Sequence, residues 1–193
     1  DTHSHNTAFG FMALLNNDAH YNTALGKEAV KANTSGSRLV GVGNRALFTN
    51  TTGSYNHAFG DHALFYNTTG ASNTAVGKSA LGSNTTGEQN TAVGHNALVL
   101  STTANNNTAV GYSALFYNTT GTRNVAIGMN ALVANTTAND NVAVGNNALD
   151  ANTTGAQNVA LGYNTLGANT TTSSNTAIGH KALEVATADN NTA

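Results

Sequence analysis

Small, apolar and polar residues alternate along this chain in a pattern that returns at a fixed interval. The phrase N-[TV]-A-[VIFL]-G recurs in steps of 17 residues, apart from a step of 16 at each end. One unit reads N-[TV]-A-[VIFL]-G-x-x-A-L-x-x-N-T-T-G-x-x, and its positions are called places one to seventeen. Units begin at Asn6, Asn22, Leu39 (as LVGVG), Asn56, Asn73, Asn90, Asn107, Asn124, Asn141, Asn158 and Asn175, with a partial repeat from Asn191.

Each unit predicts short strands and turns. The T-A-V alternation has the period of a strand, with places two and four on one face and the alanine on the other. We predict a second short strand around A-L-x-x, and turns at G-x-x and N-T-T-G. A helix is excluded because the glycine at place five would cost it about 1 kcal/mol in every unit.

The predicted fold is therefore all-β, a parallel β-solenoid of about eleven 17-residue coils that occupies residues 1–193 as a single domain. Coils about 4.8 Å apart would make a rod roughly 50 Å long. The predicted core consists of two columns of large apolar residues. Place four holds Phe9, Leu25, Val42, Phe59, Val76, Val93, Val110, Ile127, Val144, Leu161 and Ile178. Place nine holds Leu14, Val30, Leu47, Leu64, Leu81, Leu98, Leu115, Leu132, Leu149, Leu166 and Leu183.

Two further kinds of column carry predictions. Places three and eight are alanine in nearly every unit, with Gly41 and Thr165 as exceptions, and such small residues predict a close neighbour. Because a single thin rod buries little apolar surface, we expect copies of the chain to pack against one another through these alanine faces. The asparagines at places one and twelve are expected to pair amide to amide along the stack.

Composition narrows the function. Only 8% of the residues are charged and the net charge is −2, so no basic stripe exists to bind nucleic acid or an anionic membrane surface. Cysteine is absent, which excludes disulfides and thiolate metal sites. No apolar run reaches the roughly 20 residues that a membrane-spanning helix needs, so membrane insertion is not expected.

Candidate catalytic and metal-binding groups are scattered. The acidic residues occupy unlike places in unlike units, which predicts solvated turn residues and no catalytic pair. They are Asp1, Asp18, Glu28, Asp61, Glu88, Asp140, Asp150, Glu184 and Asp189. Gly77-Lys78-Ser79 lacks the first glycine of a phosphate-binding loop, because Ser72 stands there. A metal ion could meet His57, Asp61 and His62, or Asp1-Thr2-His3, but surface histidines explain both groups better. No catalytic, cofactor-binding or metal site is predicted, and no cofactor.

Two surface features remain open. N-x-[ST] sequons could carry glycans along one edge of the rod, although turn hydrogen bonds explain these residues better. The sequons begin at Asn33, Asn50, Asn67, Asn84, Asn106, Asn118, Asn135, Asn152, Asn169 and Asn190. Aromatic residues after A-L could grip a receptor or a carbohydrate, or pack across a trimer interface. They are Phe48, Phe65, Tyr66, Phe116 and Tyr117, with Tyr55, Tyr112 and Tyr163 in turns.

The phrases NTAVG and NTTG over residues 6–193 resemble known repeats. They are similar to the head repeats of YadA-type trimeric autotransporter adhesins and to repeat shafts of bacteriophage tail fibres. The resemblance implies a left-handed β-roll with three chains packed about one axis. The unit of 17 residues is longer than that of the adhesin head. The general rule for parallel crossovers predicts a right-handed coil instead.

These observations predict a structural or adhesive fibre segment, extracellular, on a cell-surface filament or a virion tail. The expected partners are further copies of the chain, as a homotrimer or a head-to-tail filament, and a host receptor or glycan. The alternative is an ice- or carbohydrate-binding solenoid that uses the Thr/Asn ladder. Against ice binding, the adjacent threonines of N-T-T would point to opposite faces of a strand. An enzyme is not expected.

Overall fold

Eleven strands of three residues each form one parallel sheet in the computed structural model, which describes residues 5–193. The strands are Thr7–Phe9 (β1), Thr23–Leu25 (β2), Val40–Val42 (β3), His57–Phe59 (β4), Thr74–Val76 (β5), Thr91–Val93 (β6), Thr108–Val110 (β7), Val125–Ile127 (β8), Val142–Val144 (β9), Val159–Leu161 (β10) and Thr176–Ile178 (β11).

Each strand pairs with the strand of the next unit, and the sheet follows the chain order from β1 to β11. The register places equal positions of the repeat side by side, as in Thr91 with Thr108 and Val93 with Val110. One unit is therefore one coil, and the coils stack into a β-solenoid. The predicted fold class is confirmed.

The interior of the rod is narrower than the sequence predicted. Ala92, Ala97 and Leu98, at places three, eight and nine of one coil, are all fully buried. Leucine at place nine was predicted correctly, but place four was not, because its side chains point outwards and Val76 is 38% exposed. Since Ala75 lies between Thr74 and Val76 on a strand, only the alanine can face inwards. The alanines therefore line the interior and are not an outer contact face.

The predicted second strand is absent from the coils of the described region, and turns occupy A-L-x-x. The backbone explains the difference. Asn96 and Leu98, at places seven and nine, have φ of 59° and 52°, in the left-handed region that no strand uses. Each coil thus turns its corner with left-handed residues, while the Leu98 amide still donates to the Ala114 carbonyl of the next coil at 3.0 Å.

Glycine at place five is required by both conformation and space. Gly77 has φ of 129°, which side-chain-bearing residues rarely adopt. A Cβ atom on it would lie 2.6 Å from the carbonyl oxygen of Gly94 in the next coil. The backbone of neighbouring coils therefore approaches as closely as it does only because no side chain is present.

Two ladders of buried asparagine run along the interior, as the sequence predicted. At place twelve, Asn67 Nδ2 donates to Asn50 Oδ1 at 2.7 Å. At place one, Asn73 Oδ1 accepts from the backbone amide of Asn90 at 3.0 Å. The carbonyl of Gly70 accepts from both ladders, from Asn56 at 2.7 Å and from Asn67 at 2.9 Å. The amides thereby satisfy polar backbone groups that the turn buries.

Candidate functional site

The outer side of the sheet is an uncharged strip that runs along the rod and is apolar throughout at place four. It is formed by places two and four, and we call it the sheet face. Place two holds Thr7, Thr23, Val40, His57, Thr74, Thr91, Thr108, Val125, Val142, Val159 and Thr176. None of these residues, nor any of those at place four, is Asp, Glu, Lys or Arg. Exposed aliphatic side chains on it include Leu25, Val76, Ile127 and Ile178, the last 60% exposed. Contiguous apolar surface of this kind marks interaction sites.

A second feature is a notch of about 380 Å³ in the turn side of the rod, lined by Arg45, His62, Phe65, Tyr66, Ser79, Gly82, Ser83 and Val99. These residues occupy places seven, ten and eleven of four successive coils, so none of them belongs to the sheet face. The volume falls in the range of small-molecule sites, roughly 300–1,000 Å³.

Aromatic rings form one wall of the notch. The rings of Phe48 and Phe65, at place ten of successive coils, stack with centroids 5.1 Å apart and planes 6° apart. Tyr66 meets Phe65 edge-on at 4.6 Å, and His62 lies 4.9 Å from it. Place ten of the next coil is Gly82, which has no side chain to continue the stack. The column of rings therefore stops at Phe65 and leaves the notch beyond it.

An ion cluster lies below this wall. Glu28 accepts hydrogen bonds from Lys31 Nζ at 2.7 Å and Arg45 Nε at 2.8 Å, and it is 7% exposed. These two bonds lower the pKa of Glu28 to about 2, and the bond from Lys31 has the larger effect. Both cations also lie over the ring of Phe48, at 5.3 and 5.4 Å. The prediction of a solvated turn residue is wrong for Glu28, because two cations from its own and the next coil cover it.

Asp61 and His62 are joined at the other side of the notch. His62 Nδ1 lies 2.9 Å from Asp61 Oδ1, and Asn44 Nδ2 donates to the same oxygen at 2.8 Å. The bond from Asn44 is the main reason that the pKa of Asp61 lies below its ordinary value, with His62 adding to it. This pair holds the His62 ring beside Phe65.

Other acidic residues are dispersed along the rod. Arg123 forms two hydrogen bonds to the carboxylate of Asp140, at 2.6 and 2.9 Å, which lower the pKa of Asp140. Burial raises the pKa of Asp150. Lys181 lies 3.8 Å from Glu184 on the surface.

The candidate metal groups are not brought together. His57 is exposed on strand β4, while His62 is engaged with Asp61. Across residues 5–193, no three histidine or acidic side chains meet in a group that could hold a metal ion. Asp1-Thr2-His3 lies outside the described residues. Gly77-Lys78-Ser79 is an ordinary coil corner, and its Ser79 lines the notch.

Most of the sequons are inside the rod. Asn33, Asn50 and Asn67 are fully buried, and so are the other place-twelve asparagines that begin sequons. Their amides donate within the ladder, as Asn84 Nδ2 does to Asn67 Oδ1 at 2.7 Å. Only the sequons at Asn106 and Asn190 present exposed asparagine side chains. The turn role of these asparagines is confirmed.

The threonine hydroxyls at place thirteen form hydrogen bonds between successive coils. Thr51 Oγ1 donates to the carbonyl of Thr68 in the next coil at 3.0 Å, and Thr68 Oγ1 donates to that of Thr85 at the same distance. N-T-T lies in a bend and not in a strand. The hydroxyls of this column therefore bind coils together and do not form a flat outer row.

The remaining aromatic residues form separate local contacts. Phe116 meets Tyr117 at 4.7 Å, three coils away from Phe65 and Tyr66, and so the predicted aromatic row is interrupted. Arg38 lies over the rings of Tyr21 and Tyr55 and donates to the Tyr55 hydroxyl at 2.8 Å. Tyr163 stacks on His180 with centroids 5.3 Å apart.

Sequence reasoning named Phe48, Phe65 and Tyr66, placed Glu28 among the solvated turn residues, and missed Gly82 and Arg45. Reading place ten as a column would have found the notch, because Phe48 and Phe65 are followed there by Gly82. The ion cluster carried a weaker signal. Glu28 and Arg45 share place seven in neighbouring coils, and Lys31 lies three residues beyond Glu28.

Comparison with known protein families, with curated proteins and with solved structures finds no match for this chain. The similarity to YadA-type heads and tail-fibre shafts therefore stays a prediction from the repeat phrases. In the described part of the chain, no helix is long and apolar enough to cross a membrane.

Proposed function

We propose that this chain is a rigid segment of an extracellular fibre, an adhesin or tail-fibre shaft that presents attachment to a host or surface. The observation that carries the proposal is the continuity of the rod. Eleven strands pair in one register from β1 to β11, and the buried leucine, alanine and asparagine columns follow the same axis. Such stacking extends a structure by repetition, as in solenoid proteins generally.

The sheet face supports lateral association of identical chains. A partner that covers this strip must be as long as the rod and must repeat at the same interval. A parallel copy meets both conditions, because its Val76, Val93 and Val110 recur with the same coil spacing. The resemblance to trimeric adhesins favours three copies about one axis. The sequence predicted that chains pack through their alanine faces. Because the alanines are buried, we now propose places two and four as the contact surface.

No catalytic role forms part of this proposal. The charged side chains of the described coils occur mainly as local pairs such as Arg123 with Asp140, which join one coil to the next. Location on a cell surface or virion follows from the proposed role and from the resemblance.

The mass of the chain in solution tests the proposal. Light scattering on size-fractionated protein should give three times the chain mass of 19.6 kDa, and X-ray scattering should give a rod. A single-chain mass at every concentration tested would contradict lateral association. A mass that grows steadily with concentration would instead support head-to-tail stacking, which stays a prediction.

Ice or carbohydrate binding by the Thr/Asn ladder is less well supported. The asparagines of both ladders are buried, and the place-thirteen hydroxyls donate to backbone carbonyls. A flat ligand on the outside of the rod would therefore not reach them. A thermal-hysteresis assay that shows activity would reverse this ranking.

A further inference from the structure

We propose that the notch beside Phe65 binds one neutral pyranose ring of a glycan, with the apolar face of the sugar on the phenyl ring. The inference rests on the proposed role in attachment and names the ligand class and the site. The notch is present because Gly82 follows Phe48 and Phe65 at place ten and has no side chain to fill the space beside Phe65. It is open to solvent on the turn side, so a ring at the end of a glycan chain can enter it.

Phe65 supplies a stacking platform that is already fixed in place. One face of its ring is covered by Phe48 at 5.1 Å, Tyr66 lies nearly perpendicular to it at 4.6 Å, and His62 is tilted by 32° at 4.9 Å. In the direction of the next coil, the place-ten residue is Gly82, so no side chain from that position covers the other face. A pyranose presents a flat patch of C–H groups, which the negative face of an aromatic ring attracts.

Polar groups around the platform can bind sugar hydroxyls. Ser79, Ser83 and Tyr66 line the notch, and between residues 5 and 193 their hydroxyls form no hydrogen bond. In the same region, Nε is the only side-chain nitrogen of Arg45 with a hydrogen-bond partner, which leaves its two terminal nitrogens as donors. An apolar wall with a few converging polar groups is the usual composition of a small-molecule site.

The charge of the site favours a neutral sugar over an acidic one. Glu28 is paired with Lys31 and Arg45, and Asp61 with His62, while Lys78 lies near Asp61 but is not among the residues that line the notch. Arg45 is already paired with Glu28 at 2.8 Å, so its charge is compensated before a ligand arrives. A carboxylate on the sugar would therefore meet no unpaired cation among the residues that line the notch.

The chain contains its own control for this geometry. Phe116 and Tyr117 repeat the Phe65-Tyr66 pair at the same places, and their rings meet at 4.7 Å. Place ten of the following coil is Val133 there, which fills the position that Gly82 leaves open. If the notch and not the aromatic pair is the site, only the Phe65 pair binds a sugar.

Saturation-transfer NMR on the full chain tests the inference with methyl glycosides of glucose, galactose and mannose as probes, and methyl glucuronide as the acidic comparison. We expect at least one neutral glycoside to bind. Gly82→Val, which copies the side chain at Val133, should weaken that binding about tenfold or more, since it occupies the stacking position. A Cβ atom at Gly82 would have its nearest contact at 3.1 Å, with the Ser79 carbonyl oxygen, so this variant should fold.

Phe65→Ala should abolish binding, and Phe116→Ala should leave it unchanged. The inference is overturned if no neutral glycoside binds, if methyl glucuronide binds more tightly, or if Gly82→Val binds as well as the unmodified chain. Light scattering on the same samples separates the two proposals, because loss of sugar binding leaves the trimer mass intact and loss of the trimer leaves the notch in each chain.

Discussion

Asn84 Oδ1 and Ser101 Oγ are both buried, and neither has a hydrogen-bond partner. The two residues occupy place twelve of successive coils, where Ser101 takes the position of an asparagine. In the intact part of the ladder, each amide nitrogen donates to the oxygen one coil earlier, as Asn135 does to Asn118 at 2.8 Å. The serine is too short to continue this chain of amides, so the ladder is broken at one coil.

Ser101→Asn should repair the ladder and stabilise the rod. The new amide can donate to Asn84 Oδ1 and accept from Asn118, which removes a buried unsatisfied oxygen worth about 1–3 kcal/mol in the free energy of unfolding. Thermal and urea unfolding measure the gain. Ser35→Asn, at an exposed position outside the left-handed backbone region, is the control and should change nothing. An unchanged or lower stability for Ser101→Asn would contradict the account of the ladder.

Gly77→Ala should destabilise the rod strongly. The alanine must adopt φ near 129° and its Cβ would lie 2.6 Å from the Gly94 carbonyl oxygen, so we expect a loss of about 1–3 kcal/mol or more. Gly82→Ala is the matched control in the same coil, because its nearest contact would be 3.1 Å. Urea unfolding compares the two variants, and equal losses would show that the place-five glycine is not specially required.

Acid should weaken the Glu28 cluster at low pH. The pKa of Glu28 in the folded rod is about 2, against an ordinary value of 4.5, because Lys31 and then Arg45 donate hydrogen bonds to the carboxylate. As pH falls, the unfolded chain binds this proton first. The stability that the carboxylate contributes is therefore complete above about pH 4.5 and is lost as pH falls through about 2.

Glu28→Gln should remove that part of the pH dependence. The melting temperature of the unmodified chain should fall more between pH 5 and pH 2 than that of the variant. Glu88→Gln is the control, since Glu88 is exposed and has no ion pair in the region the structure describes. Identical pH profiles for the Glu28 variant and the unmodified chain would contradict the role of the cluster.

Val93→Lys should separate the chains if the sheet face joins them. Val93 lies on β6 at the middle of the strip, and a buried lysine without a partner charge is strongly unfavourable in an interface. Light scattering should then give the single-chain mass. His95→Lys is the matched control, because His95 is exposed in the same coil and Lys78 already occupies its place one coil earlier. An unchanged trimer in Val93→Lys would place the contact elsewhere.

The repeat made the architecture readable because every coil supplies an independent copy of the same pattern. The pairing of Asn50 with Asn67 could be predicted because both occupy place twelve, and equal places must stack in a solenoid of constant period. Hydrophobicity did not show which face of each strand points into the rod. Val76 is more apolar than Ala75, yet the interior is closed by Leu81 from the opposite wall and has room only for the smaller side chain.

The candidate site was harder to predict for a related reason. Sequence periodicity describes what the coils share, whereas the notch depends on Gly82, where one column departs from its neighbours. The left-handed backbone at Leu98 was also hidden, because leucine has no preference for that conformation and the coil-to-coil hydrogen bonds impose it.

The backbone hydrogen bonds between coils, such as that from Leu98 to Ala114, determine how the rod would respond to tension. They lie along the long axis, while the covalent chain runs across it, so a pull on the two ends loads the coils in series. A coil that opens lengthens from about 4.8 Å to roughly 56–61 Å of extended chain. Force would therefore be relieved one coil at a time, and a fibre built this way could yield by more than its own length before the covalent chain is strained.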